Sequence, residues 1–160
     1  MHRTRWWGVA IAVAAFAAAS WTQDKGPAPN FTLPTATGGT IELAKLHGKV
    51  VVVNFWATWC GPCRSEIPGM QEVYEKYKSK GLEIIGVSLD QKGWDVINPF
   101  VKRMNISYPV VLGNNQVAES YGHIDAIPAT FIVGKKGEVL QHHVGYMSKE
   151  EFEQAVKAAL

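Results

Sequence analysis

The chain has 160 residues, 47% hydrophobic and 19% charged, with 16 Lys and Arg against 14 Asp and Glu. That length suits a single domain, and its apolar content suits a packed core rather than a disordered chain. The net charge of +2 includes Arg3 and Arg5 at the extreme N-terminus, so the body carries no excess positive footprint for nucleic acid, and two cysteines are too few for a disulfide scaffold or a four-cysteine metal site.

His2, Arg3 and Arg5 precede an apolar run over residues 6–19, which closes in Ala17-Ala18-Ala19-Ser20. A basic start, an apolar middle and an Ala-x-Ala site describe an export leader. A helix over 6–19 reaches about 21 Å, short of a ~30 Å hydrocarbon layer. Ser20 and Trp21 lengthen it, and tryptophan at both ends suits the two interfaces. Residues 1–21 therefore read as a signal peptide or an N-terminal membrane anchor. No cysteine lies near residue 20 to take a lipid. Either reading puts the body in a bacterial periplasm or on the outer face of the cytoplasmic membrane, where disulfides persist. Residues 22–30 (TQDKGPAPN) read as a linker, and 31–160 as the domain.

Residues 31–33 suggest a short strand that Pro34 ends. Thr37 to Thr40 make a turn, and 40–43 resume an extended or helical piece. Residues 50–56 (VVVVNFW) are β-branched and aromatic without polar alternation, as in a strand covered on both faces. The periodicity of Ile67, Met70, Val73, Tyr74 and Tyr77 predicts a helix over 65–80, kinked at Pro68 and ended by Gly81. A second core strand follows over 82–89, then a helix over 94–104 and an extended piece over 108–112. A short helix over 117–121 is closed by Gly122. Residues 130–133 and 139–144 form a hairpin around Lys135 to Glu138. Ser148, with Glu151 three residues on, caps a last helix. The order β-α-β-α-β-α-β-β-α implies a mostly parallel sheet with an antiparallel closing edge: a mixed sheet in a three-layer α/β/α sandwich.

Cys60 and Cys63 form a C-x-x-C between a buried strand and a helix. Unpaired N–H groups and the positive end of the dipole stabilise a thiolate at a helix start. Residues three apart on a helix share a face, so the two sulfurs can close a small ring. Gly61 and Pro62 favour the tight turn between them. Cys60, outer and earlier, should attack an incoming disulfide, and Cys63 should resolve the mixed disulfide. An inert structural disulfide, a metal pair and two idle thiols remain alternatives. Glu66 lies one turn beyond Cys63 on the same face, where it can take the resolving thiol's proton if burial raises its pKa. A solvated glutamate in the first helical turns is the bland alternative. Asn54 is an amide and cannot be the base; it reads as a hydrogen-bonded core residue. Trp56 belongs to the core, whereas Trp59 shields Cys60 and offers an apolar contact to a partner. The five histidines make no ligand spacing with the cysteines.

The stretch Trp56-Ala57-Thr58-Trp59-Cys60-Gly61-Pro62-Cys63-Arg64 resembles the redox motif of the thioredoxin superfamily. With Glu66 and Pro68, W-C-x-P-C-x-x-E-x-P resembles the membrane-associated or periplasmic reductants of cytochrome c maturation, over about residues 27–160. The resemblance implies a thioredoxin-like fold, Cys60 as nucleophile, Cys63 as resolving thiol and Glu66 at the active site. It also implies a cis-proline loop at Ile127-Pro128 that forms a substrate groove with Trp59, Gly61 and Pro62, with Gly145 nearby. Its expected partners are a protein disulfide, apocytochrome c among the candidates, and a membrane electron donor for re-reduction. The two sulfurs suffice for the cycle, so no cofactor and no metal is expected, and the chain is expected to act as a monomer. An oxidant of the same fold, a thiol peroxidase and a non-catalytic partner-binding module are the competing readings.

Overall fold

The computed structural model describes residues 26–160; the leader and residues 22–25 of the linker lie outside the described residues. Residues 26–30, read above as the end of the linker, are tied to the domain. Ala28 N–H donates to Gly137 O at 2.8 Å, and Val139 N–H donates to Gly26 O at 2.9 Å. The Tyr121 hydroxyl donates to Pro29 O at 2.9 Å.

The chain opens with a two-stranded antiparallel hairpin, β1 (Thr32–Pro34) and β2 (Thr40–Glu42), followed by a 3-10 turn over Leu43–Leu46. Pro34 is thus the last strand residue, paired with Thr40, rather than the residue that ends the strand. The main sheet has five strands in the order β5-β4-β3-β6-β7. These are β3 (Val50–Trp56), β4 (Leu82–Ser88), β5 (Val110–Leu112), β6 (Ala129–Val133) and β7 (Val139–Val144). Four helices connect or follow them: α1 (Gly61–Tyr77), α2 (Trp94–Met104), α3 (Asn115–Ser120) and α4 (Lys149–Ala159). The expected thioredoxin-like sandwich with a mixed sheet is present.

The central strand β3 is buried along its whole length, as its uninterrupted apolar run requires. Its residues alternate between two cores. Val51, Val53 and Phe55 face the β1–β2 hairpin and α3 through Phe31, Leu33, Val117 and Tyr121. Val50 and Val52 face α1 and α4 through Met70, Val73, Phe152 and Val156. At the C-terminal end of that second face, Trp56 packs on Phe100 of α2, with ring centroids 5.2 Å apart.

The sheet is less parallel than the element order suggests. β4 and β5 run parallel to β3, but β6 runs antiparallel to it, and β7 antiparallel to β6. Leu112 lies opposite Ser88, itself opposite Trp56, while Ala129 lies opposite Phe55. β5 therefore ends, and β6 begins, at the same edge of the sheet. The six residues of α3 span about 9 Å and do not return the chain to the far edge, so β6 must run backwards.

Helix α1 begins at Gly61, earlier than its apolar periodicity indicates, and continues through Pro68. Gly81 follows its last turn at φ 95°, a left-handed conformation that glycine adopts without a Cβ clash. Gly86 on β4 answers a different need. A Cβ there would lie 2.9 Å from Trp56 Nε1 and 3.2 Å from Tyr108 Cε2, so glycine lets two buried rings close over the sheet. Ser148 and Glu151 form the expected capping box of α4. Among the described residues no helix is long and apolar enough to cross a membrane.

Candidate active site

The end of β3 and the start of α1 build the site. Cys60 is the N-cap of α1, in extended backbone conformation, and its Sγ accepts from Cys63 N–H at 3.2 Å. Pro62 sits within the first turn, where its missing N–H leaves no helical bond unmade. Cys60 and Cys63 are disulfide-bonded, with Cα atoms 5.3 Å apart. Cys63 is fully buried and Cys60 is 5% exposed, so both sulfurs are covered and Cys60 is the one nearer solvent.

The Ile127–Pro128 peptide bond is cis. Ile127 O stands 3.7 Å from Cys60 Sγ, which brings this loop against the disulfide. Pro128 O accepts from Gly145 N–H at 2.8 Å, which joins the end of β7 to the same rim. Trp59 is 70% exposed. Its ring is offered to solvent, and it walls a groove of about 490 Å³ with Thr58, Leu89, Asp90, Gln91, Lys92 and Val96. Gly61, Pro62 and Arg64 are exposed on the first turn of α1.

Glu66 is not a solvated helix-start acid. It is 4% exposed, on the buried face of α1 three residues after Cys63. Its Oε1 accepts from Asn54 Nδ2 at 2.9 Å and its Oε2 from Met147 N–H at 3.5 Å. Burial pushes its pKa up from 4.5 to about 7, against the opposing pull of the Asn54 and Met147 hydrogen bonds. The carboxyl thus stands near half-ionised at neutral pH, the condition in which a group best exchanges protons.

Two features escape a reading of the sequence. Asn54 is a core residue, as expected, but it is also a direct partner of Glu66, and its Nδ2 donates as well to Thr130 Oγ1 at 3.0 Å. The available signal was a polar residue inside an otherwise apolar strand. The second is Asp90, just after β4 and 5% exposed. Its carboxylate accepts from Thr58 N–H at 2.9 Å, from the Thr58 hydroxyl at 2.6 Å and from the Ser88 hydroxyl at 2.8 Å. Those bonds anchor the turn that leads into Cys60. His142 stacks on Phe131, with ring centroids 4.2 Å apart. Among the described residues no cluster of three His, Cys, Asp or Glu side chains could hold a metal ion.

A model of the AhpC/TSA family matches residues 25–142, almost to the end of β7. The chain belongs to the AhpC/TSA family. Its similar relatives include proteins named as thiol-disulfide oxidoreductases. It is 41% identical over 131 residues to the thiol-disulfide oxidoreductase ResA of Bacillus thuringiensis subsp. konkukian (strain 97-27), covering 81% of this chain and 75% of the relative. It is 38% identical over 143 residues to ResA of Bacillus subtilis (strain 168), covering 89% of this chain and 79% of the relative. Among solved structures it superposes on a thiol:disulfide interchange protein of the thioredoxin family from Chlorobium tepidum TLS with a TM-score of 0.76. That match has 36% identity and covers 84% of this chain and 96% of the other. StoA from Bacillus subtilis gives a TM-score of 0.68 at 28% identity, covering 79% and 96%. This AhpC/TSA member carries a thiol-disulfide oxidoreductase active site at Cys60 and Cys63, on a thioredoxin-like fold suited to dithiol–disulfide exchange.

Proposed function

We propose that this chain reduces disulfides in partner proteins outside the cytoplasm, with Cys60 as nucleophile and Cys63 as resolving thiol. The observation that carries this reading is the placement of the disulfide, with the Cys60 sulfur at the helix start and a buried carboxyl of raised pKa, Glu66, one turn further along the same helix. In the reduced protein the Cys60 thiolate attacks one substrate sulfur. The substrate S–S bond breaks, one substrate thiolate leaves, and a Cys60–substrate mixed disulfide forms. Cys63, losing its proton to Glu66, then attacks Cys60 Sγ. The second substrate thiol departs and the Cys60–Cys63 disulfide is restored. Two electrons pass to the substrate, and a membrane electron donor returns two electrons and two protons. The exposed Trp59, Gly61 and Pro62, with Ile127 and Pro128, form the rim on which the substrate chain is laid.

The basic, apolar leader supports export, with the domain in the periplasm or held at the outer face of the membrane. The motif's likeness to cytochrome c maturation reductants favours apocytochrome c, with its paired haem-binding cysteines, as substrate. A redox titration of the Cys60–Cys63 couple against glutathione tests the direction. The expected potential lies near or below that of thioredoxin, about −270 mV, as a reductant requires. A value near about −120 mV would make the protein an oxidant. Insulin reduction should be present in the native protein and absent in Cys60→Ser.

A further inference from the structure

The geometry points to Asn54 as the residue that positions Glu66 for proton exchange, with Thr130 holding the Asn54 amide in the orientation that presents its N–H to the carboxylate. This rests on the reading of Glu66 as proton acceptor for Cys63. Asn54 lies on β3 and Thr130 on β6, directly opposite each other in the antiparallel register. Both are 1% exposed. An amide group has two donor hydrogens on one nitrogen, and here each has an acceptor: Glu66 Oε1 at 2.9 Å and Thr130 Oγ1 at 3.0 Å. Asn54 Oδ1 is buried without a hydrogen-bond partner.

That imbalance is informative. A buried amide that leaves its oxygen unpaired to satisfy both N–H bonds is held for its donors, since an unpaired buried acceptor is itself costly. Turning the amide over would aim its oxygen at the carboxylate, and only a protonated Glu66, donating its O–H, could then bond to it. The amide as it stands therefore matches the ionised carboxylate, with Thr130 Oγ1 as the acceptor for its second N–H. Thr130 also follows Pro128 by two residues, so the strand that leads from the substrate loop also holds the amide.

Other groups around Glu66 offer no equivalent control. Cys63 shares its helix face. Tyr108, before β5, is a buried phenol whose pKa is driven up by burial and by the Glu66 charge. Met147 supplies one backbone N–H at 3.5 Å. Lys149 of α4 lines the cleft below but is paired with Glu72 of α1. His143 lies opposite Thr130 on β7.

The test is the Glu66 carboxyl titration, read by carbon NMR in the oxidised full-length protein, alongside the pH profile of Cys63 alkylation in the reduced protein. Asn54→Ala should raise the Glu66 midpoint by about one to two pH units, the worth of a lost hydrogen bond to a charged group. Thr130→Val keeps the core volume and should move it the same way by about half a unit; it serves if Asn54→Ala fails to fold. The alkylation profile should follow each shift. Unmoved Glu66 midpoints in folded variants would overturn the proposal. If the midpoints move while Cys63 alkylation is the same in native protein and Glu66→Gln, Asn54 positions Glu66 but Glu66 is not the proton acceptor. That result overturns the mechanistic reading alone.

Discussion

At the scale of the residue, the proposed proton path depends on one carboxyl kept out of water, Glu66, one turn along α1 from Cys63. A buried acid whose pKa sits near 7 can accept the Cys63 proton and release it within one cycle. In Glu66→Gln the near-neutral inflection of Cys63 alkylation should vanish, and insulin reduction should fall about a hundredfold at pH 7. A profile identical to the native one would remove Glu66 from the proton path. The Cys60–Cys63 pair and the place of Glu66 on the same helix were legible in the sequence because they depend on spacing along one helix, which local pattern reveals. Asn54 and Thr130 were not. Their partnership depends on the register of β3 against β6, residues far apart in the chain, and no local pattern encodes that pairing. Trp59 precedes Cys60 and leaves its ring largely exposed, while Cys60 itself is covered.

At the scale of the element, two contacts fix how helix α1 meets the sheet. One is the N-cap at Cys60, which the redox chemistry itself uses. The other is the Asp90 carboxylate, which joins the end of β4 to the turn before Cys60. Asp90→Ala leaves the Thr58 N–H and two hydroxyls without that acceptor. It should lower stability by about 2–4 kcal/mol in urea denaturation and slow insulin reduction, because the turn then loses its anchor. Asp90→Asn, which keeps one oxygen acceptor, should recover part of both losses. The cap of α4 provides a contrast far from the sulfurs. Ser148→Ala removes the capping-box acceptor and should cost about 1 kcal/mol of stability with little change in the Cys60–Cys63 potential. Strand β3 was legible from its uninterrupted apolar run and helix α4 from its capping box. The start of α1 at Gly61 was legible from the C-x-x-C placed at a helix start, not from the apolar period, which begins only at Ile67.

At the scale of the whole molecule, the raised pKa of Glu66 makes stability depend on pH. The unfolded chain releases this proton near 4.5, whereas the folded protein holds it to about 7. Between those values the folded state binds more protons, so this contribution to stability is complete below about pH 4.5 and lost as pH rises to 7. The loss is on the order of 3 kcal/mol, at about 1.4 kcal/mol per pH unit. Urea denaturation of the oxidised protein should therefore show Glu66→Gln gaining on the native protein by about that amount between pH 4 and pH 8. A constant difference would mean that Glu66 titrates as an ordinary exposed acid. The sandwich architecture was legible from element order. The direction of β6 was not, because it follows from where β5 ends on the sheet, a feature of the assembled fold.

The division of labour between the two sulfurs is tested most directly by trapping the exchange halfway. Cys63→Ser and Cys60→Ser are each incubated with a disulfide-bonded peptide, and the adducts are mapped by mass spectrometry. Cys63→Ser should accumulate a mixed disulfide through Cys60, and Cys60→Ser should accumulate little or none. Trapping chiefly through Cys63, or through neither sulfur, would contradict the assignment of Cys60 as the nucleophile at the helix start.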